Sequence, residues 1–147
     1  MPVDIVEANP SMCEEISHLL VRSISESCFE DHQNDSNRLE PWLKNKTPEN
    51  VKFWLEVNRT YCAISQSGTI VGVLQINTEN RILLNYVDPG YSNKGIGTKL
   101  LRKLESDIGE GEKVVVESTE TAKPFYIKNG FIELGNESNE MSKRISL

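Results

Sequence analysis

The sequence predicts a mixed α+β fold: one largely antiparallel sheet that contains a single parallel pair of strands, with helices packed against it. Three stretches predict it. Arg81–Asp88 reads as an apolar strand that runs into a loop rich in Gly, Asn and Ser, then a helix with an apolar stripe, then the strand around Val114-Val115-Val116. Together these make a βαβ unit, whose strands are parallel and joined by a right-handed crossover. Thr60–Ser65 and Thr69–Asn77 flank Gln66-Ser67-Gly68, which has the composition of a hairpin turn. Phe131–Leu134 and Met141–Ile145 read as two closing strands.

The elements follow in order. Val3–Glu7 alternates as a first strand. Pro10-Ser11 opens a helix, with Ser11 and Glu14 spaced as a capping box, and Met12, Ile16, Leu19, Leu20 and Ile24 on one face. Cys28–Asn37 is polar and reads as a loop, with a short helical piece near Leu39–Leu43. Thr47-Pro48 starts another helix, Thr at the N-cap and Pro at the first helical position, with Val51, Trp54 and Leu55 as its apolar face. After the hairpin, the apolar content of Arg81–Asp88 (Ile82, Leu83, Leu84, Val87) predicts a strand buried on both faces. Ile96, Leu100, Leu101, Leu104 and Ile108 form the next helix's stripe, and Gly109 ends it. Lys113–Ser118 is a buried strand, and Thr121 is the expected N-cap of a helix to Lys128, closed by Asn129-Gly130. The total is a mixed sheet of about six to seven strands flanked by about four helices.

Composition narrows the chemistry. The 147 residues amount to one ordinary domain, 1–147, with no repeat and no dividing linker. A net charge of −6 argues against nucleic acid, which requires a basic face. No apolar run is long enough to cross a bilayer, and the first residues lack the basic region and apolar core of a signal peptide, so a cytoplasmic setting is expected. The three cysteines, Cys13, Cys28 and Cys62, fit no metal or redox spacing and are expected to be reduced, mostly half-buried thiols. With only His18 and His32, no metal site is expected.

The chemistry-bearing stretch is Tyr86-Val87-Asp88-Pro89-Gly90-Tyr91-Ser92-Asn93-Lys94-Gly95-Ile96-Gly97-Thr98. A strand that turns through such a loop into a helix points free backbone N–H groups, at the positive end of the helix dipole, toward one point. It is a cradle for phosphate. It lacks the Lys-Ser/Thr ending of a P-loop and the full Gly-x-Gly-x-x-Gly of a dinucleotide site, which disfavours a nucleotide-binding domain.

Two runs resemble the GNAT superfamily of acyl-CoA N-acyltransferases. Val87-Asp88-Pro89 followed by Gly95-Ile96-Gly97 matches the family's first diagnostic run, and Ala122-Lys123-Pro124-Phe125-Tyr126-Ile127-Lys128-Asn129-Gly130-Phe131 matches the second. Three positions depart from the pattern: Ser92 and Asn93 replace a usual Gln/Arg and a frequent Gly, and Thr119 replaces an Asn. The resemblance implies a GNAT-like sheet whose parallel pair splays apart. It implies acetyl-CoA as co-substrate, with the pyrophosphate on the N–H groups of Ser92, Asn93, Lys94, Gly95, Ile96, Gly97 and Thr98. Glycines at 95 and 97 allow close backbone approach, and Thr119 offers one hydrogen bond to the cofactor arm. The arm would pair along Tyr86 and Val87, where a backbone N–H stabilises the oxyanion of a tetrahedral intermediate.

The resemblance further implies direct transfer of an acetyl group to a primary amine, with Tyr126 as general acid toward the leaving thiolate. The acceptor is a small-molecule or peptide amine, neither nucleic acid nor membrane, and the protein a monomer or homodimer. Many family members carry a Glu near the start of the splayed strand, where Arg81 stands here. Glu79, Glu117 and Glu120 are nearby carboxylates, and the base is left open. Asn85 is a candidate to orient the amine or a water. His32, in the run Cys28-Phe29-Glu30-Asp31-His32, is a candidate for the acceptor pocket or else a solvated loop residue; Trp42 and Trp54 shape that pocket or pack between helices. The alternative reading is a non-catalytic CoA-binding sensor or interaction module of the same fold.

Overall fold

The structure is a computed structural model that describes residues 2–135 and 138–147, with side chains at all of these except 29 and 30. Its strands are β1 (Val3–Glu7), β2 (Arg59–Ser65), β3 (Ile70–Ile76), β4 (Arg81–Val87), β5 (Lys113–Glu117), β6 (Ile132–Glu133) and β7 (Glu140–Arg144). Its helices are α1 (Cys13–Ser27), α2 (Phe29–His32), α3 (Ser36–Lys44), α4 (Pro48–Val57), α5 (Ile96–Ile108) and α6 (Lys123–Lys128), with 3₁₀ turns at Pro10–Met12 and Pro89–Tyr91. The strands form one seven-stranded sheet, ordered β1-β2-β3-β4-β5-β7-β6. Among the described residues only β4 and β5 pair in parallel.

Helices cover both faces. Ile16, Leu19 and Leu20 of α1 and Val51 and Leu55 of α4 pack on Cys62, Val73 and Leu84. On the opposite face Ile96, Leu100, Leu101 and Leu104 of α5 join Tyr61, Leu74, Val114, Val116, Tyr126, Phe131 and Met141. Leu19, Leu20, Leu100, Leu101 and Leu104 are fully enclosed, and each such side chain contributes about 1.5–3 kcal/mol by leaving water. The same stripe that makes α5 amphipathic therefore fixes where its N-terminus meets the sheet.

One irregularity creates the site. The β4–β5 ladder holds only Arg81↔Val115 and Ile82↔Val116. At the same point the β3–β4 register slips, Gln75 facing Leu84 but Ile76 facing Ile82. The extra residue, Leu83, is a β-bulge, which bends and twists its strand. Past it, β4 and β5 part, as the resemblance implies.

Four local expectations are corrected. The Ser11/Glu14 capping box does not form; Asn9 caps instead, its side chain accepting the Ser11 N–H at 3.0 Å, and the 3₁₀ turn leads into α1. The polar stretch 28–37 is not a loop: it holds α2 and the start of α3, broken by left-handed Gln33 (φ 51°) and Asn34 (φ 58°). Asp35 caps α3 through the Asn37 N–H at 3.0 Å. Strand β4 is not buried on both faces, because Leu83 is 42% exposed at the bulge. Thr121 does not cap α6. Thr119 takes the Ala122 N–H at 3.1 Å, while the Thr121 hydroxyl and N–H are held by Asp31.

Candidate active site

The loop after β4 is anchored before it turns. Asp88 accepts the Gly90 N–H at 2.9 Å with one carboxylate oxygen and the Arg22 guanidinium, 2.5 Å away, with the other. The Ser23 hydroxyl donates to the Val87 carbonyl at 3.0 Å. These bonds tie the end of β4 to α1. Asn93 (φ 62°) and Gly95 (φ 78°) are then both left-handed. That conformation costs most residues about 1–2 kcal/mol, Gly nothing and Asn little. The paired reversals lead straight into α5, whose first N–H groups have no partner within the helix. The Ser92 N–H is occupied by the Pro89 carbonyl at 3.4 Å, so the open amides begin at Asn93 rather than Ser92. Gly97 owes its place to packing: a Cβ there would lie 3.1 Å from the Phe125 ring.

Beside this loop lies a cleft of about 630 Å³. Among its walls are Asn85, Tyr86, Val87, Ser92, Asn93, Gly95, Ile96, Gly97, Thr98 and Thr119, ten of the expected positions. Lys94 is exposed and is not among them. Ser23, Ser27 and Cys28 of α1 and Phe125 and Lys128 of α6 complete the walls. Sequence reasoning missed Ser23 and Ser27. Their signal was two hydroxyls four residues apart, bracketing the buried Ile24. Burial pushes the Cys28 thiol up to about 12, which keeps it protonated at neutral pH. Cys62 is raised likewise, to about 12. The half-buried expectation for the cysteines holds for Cys13 alone.

The gap between β4 and β5 continues the cleft inward. The Asp88 N–H donates to the Val71 carbonyl at 2.8 Å. Antiparallel alternation then turns the N–H groups of Val87 and Asn85 away from β3, into the gap, while Tyr86 opposite Val73 spends its amide on the β3 ladder. The edge on offer to an extended ligand is thus Asn85–Val87. The Tyr86 side chain points to the other face, its hydroxyl hydrogen-bonded with the Trp42 side chain, and burial raises its pKa.

At the inner end of the gap stands Tyr126, only 3% exposed. Phe125 and Phe131 meet its ring edge-on, with centroids 5.2 and 5.1 Å away. Asn85 donates a side-chain N–H to the Tyr126 hydroxyl at 3.0 Å. Burial pushes the phenol up to about 12, against the opposing pull of the Asn85 bond. The hydroxyl therefore keeps its proton at neutral pH, and with Asn85 on its oxygen that proton is left to donate elsewhere. Thr119 keeps one donor and one lone pair for a ligand beyond its bond to Ala122.

The acceptor side is arranged differently from its reading in sequence. His32 is not solvated. It is fully buried, with Nε2 2.8 Å from the Ile24 carbonyl, Nδ1 accepting the Asn34 N–H at 2.9 Å, and its ring edge-on to Trp42. Arg81 forms a two-pronged ion pair with Glu140 at 2.9 and 3.0 Å. Trp42 does border a recess near Glu117, whereas Trp54 packs in the α1–α4 core. Among the described residues no group of His, Cys, Asp and Glu could hold a metal ion, and no helix is long and apolar enough to cross a membrane.

Comparison with known proteins agrees with this geometry. The profile of the acetyltransferase (GNAT) domain matches residues 30–143. Among solved structures, a GCN5-related N-acetyltransferase from Rhodopseudomonas palustris superposes with a TM-score of 0.83 at 19% identity, covering 98% of this chain and 96% of that one. PaiA N-acetyltransferase from Thermoplasma acidophilum, in complex with coenzyme A, gives 0.79 at 20% identity over 98% and 99%. An aminoglycoside 6'-acetyltransferase type Ii gives 0.67 at 18% identity over 98% of each chain. At these identities the structures speak for the fold. No curated protein matches the chain in sequence.

Proposed function

The chain belongs to the GNAT acetyltransferase family, and from that premise we propose that residues 1–147 act as one domain that transfers an acetyl group from acetyl-CoA to a primary amine. The observation that carries this reading is the alignment of an open amide fan, a strand edge and a buried neutral phenol along one cleft. The residues fit the co-substrate. Its diphosphate suits the N–H groups of Asn93 and Gly95–Thr98 at a helix start. Its narrow arm suits the gap that the β4 bulge opens beside Val87. The neighbour in complex with coenzyme A supports the same choice of ligand.

When bound, acetyl-CoA would supply an activated thioester: a free-base amine forms the C–N bond, the C–S bond breaks, and the proton lost from nitrogen passes through water to restore the phenol. The chain's own groups then have distinct tasks. The Val87 N–H, turned into the gap, donates to developing negative charge. Tyr126, protonated because burial raises it to about 12, donates its proton to the departing sulfur. Asn85 fixes the phenol oxygen at 3.0 Å. Lys94 lies off the cleft wall and acts at most through its charge.

Thiol release measured against a panel of amines tests the reading. The expected result is acetyl-CoA-dependent release with at least one amine and no acetylated enzyme by mass spectrometry. Binding of CoA without release for any amine would favour the sensor reading, to which the departures at Ser92, Thr119 and Arg81 lend some room.

A further inference from the structure

On the far side of the β4–β5 gap from the cofactor loop lies a second recess, of about 430 Å³. It shares lining residues with the cleft. Tyr86 and Thr119 line the cofactor cleft, the narrow cavity that holds Asn85 and Tyr126, and this recess alike. A molecule seated there lies against two residues that also border the cavity of Tyr126.

The recess has a particular charge pattern. Trp42 and Tyr86 give it aromatic walls, and Asp31, Arg81 and Glu117 are its ionisable residues. Arg81 is neutralised by Glu140 through both carboxylate oxygens. Both Asp31 oxygens accept backbone N–H groups, from Glu120 at 2.7 Å and Thr121 at 3.0 Å. These neutral donors leave the Asp31 charge in place, and Glu117 is exposed and has no side-chain hydrogen bond or ion pair among the described residues. Asp31 and Glu117, neither ion-paired among the described residues, place negative charge in a recess lined by Trp42 and Tyr86, which is an environment for a cation.

Resting on the acetyltransferase reading above, we propose that this recess seats a second positive charge of the acceptor, so that the substrate class is amines carrying another cationic group, as in diamines, with Glu117 as the residue that selects them. Amines whose other end is a carboxylate meet Glu117 unfavourably and are poor acceptors.

The test compares 1,4-diaminobutane with butylamine. Wild-type protein is expected to show a higher kcat/KM for the diamine, mainly through KM. Glu117→Gln is expected to shrink that preference by about two- to fivefold, and Glu117→Lys to reverse it. Glu117 is exposed at the end of β5, so both variants should retain the wild-type melting temperature. An equal fall for both amines in kcat, with a displaced pH profile, would assign Glu117 to proton transfer and overturn the cation seat. Calorimetric titration of each amine into the CoA-loaded protein keeps the two readings separable. Diamine-selective heat that Glu117→Gln abolishes upholds the recess even if no thiol is released; equal or absent heats for both amines refute it.

Discussion

At the start of α5 the groups facing the cleft are peptide amides, oriented by residues between Asp88 and Thr98. Around the second recess, at α2 and α3, the exposed groups are side chains, and Asp31 there is held by Thr121, 90 positions away. The first construction tolerates replacement of side chains. Ser92 and Asn93 depart from the family pattern, yet the left-handed Asn93 and Gly95 still turn the amides outward. The second depends on particular atoms: the Asp31 carboxylate, the two ring nitrogens of His32, and the Ser17 hydroxyl on the Lys46 carbonyl at 2.6 Å. A backbone-built end suits a ligand with fixed chemistry. A side-chain-built end suits an acceptor that differs from one relative to the next.

Three variants bear on this contrast. The largest effect is expected where the two ends meet. Tyr126→Phe should lower the single-turnover rate by about 10²–10⁴-fold with little change in CoA binding; an unaltered rate would remove the phenol from the chemistry. In the wild type the acid must stay protonated, and its pKa of about 12 lies above the usual 10. Its contribution is thus complete below pH 10 and declines only as pH rises through 12, so the pH–rate profile should show no alkaline fall between pH 8 and pH 10.

Gly95→Ala comes next. It forces a side chain into φ 78°, at a cost of about 1–2 kcal/mol. CoA affinity by calorimetry should fall about 5- to 30-fold. An unchanged affinity would mean that the amide fan is not the grip. Asp31→Ala is the smallest. Loss of one carboxylate that holds two N–H groups costs about 1–3 kcal/mol. It should appear as a lower urea midpoint and a higher amine KM, with CoA affinity less affected. If CoA affinity fell more than amine affinity, the division between the two ends would be wrong.

The same division explains what was legible in the sequence. The hairpin, the βαβ unit, the α5 stripe and the stop at Gly109 are set by local periodicity and turn chemistry, and all are found in the fold. The cradle was readable because its rule concerns backbone: a strand, a loop with Gly and Asn, a helix. Tyr126 was readable through the resemblance of residues 122–131, though not its pairing with Asn85, which spans 41 positions. The stretch 28–37 misled because it has few apolar residues. The Asp35 cap of α3 is a local signal, whereas the Asp31 and His32 contacts at α2 reach residues as far away as Thr121 and Ile24, which no local pattern encodes. Thr121 misled for the same reason, since Asp31 claims it before α6 can.

The central claim is that peptide amides just past β4 hold a diphosphate. The most direct measurement is a titration of the ¹⁵N-labelled protein with CoA, followed by amide chemical shifts. The account expects the largest shifts at Asn93, Gly95, Ile96, Gly97 and Thr98, with a smaller one at Val87. Shifts that leave these amides unmoved while others respond, or no response to CoA at all, would contradict it.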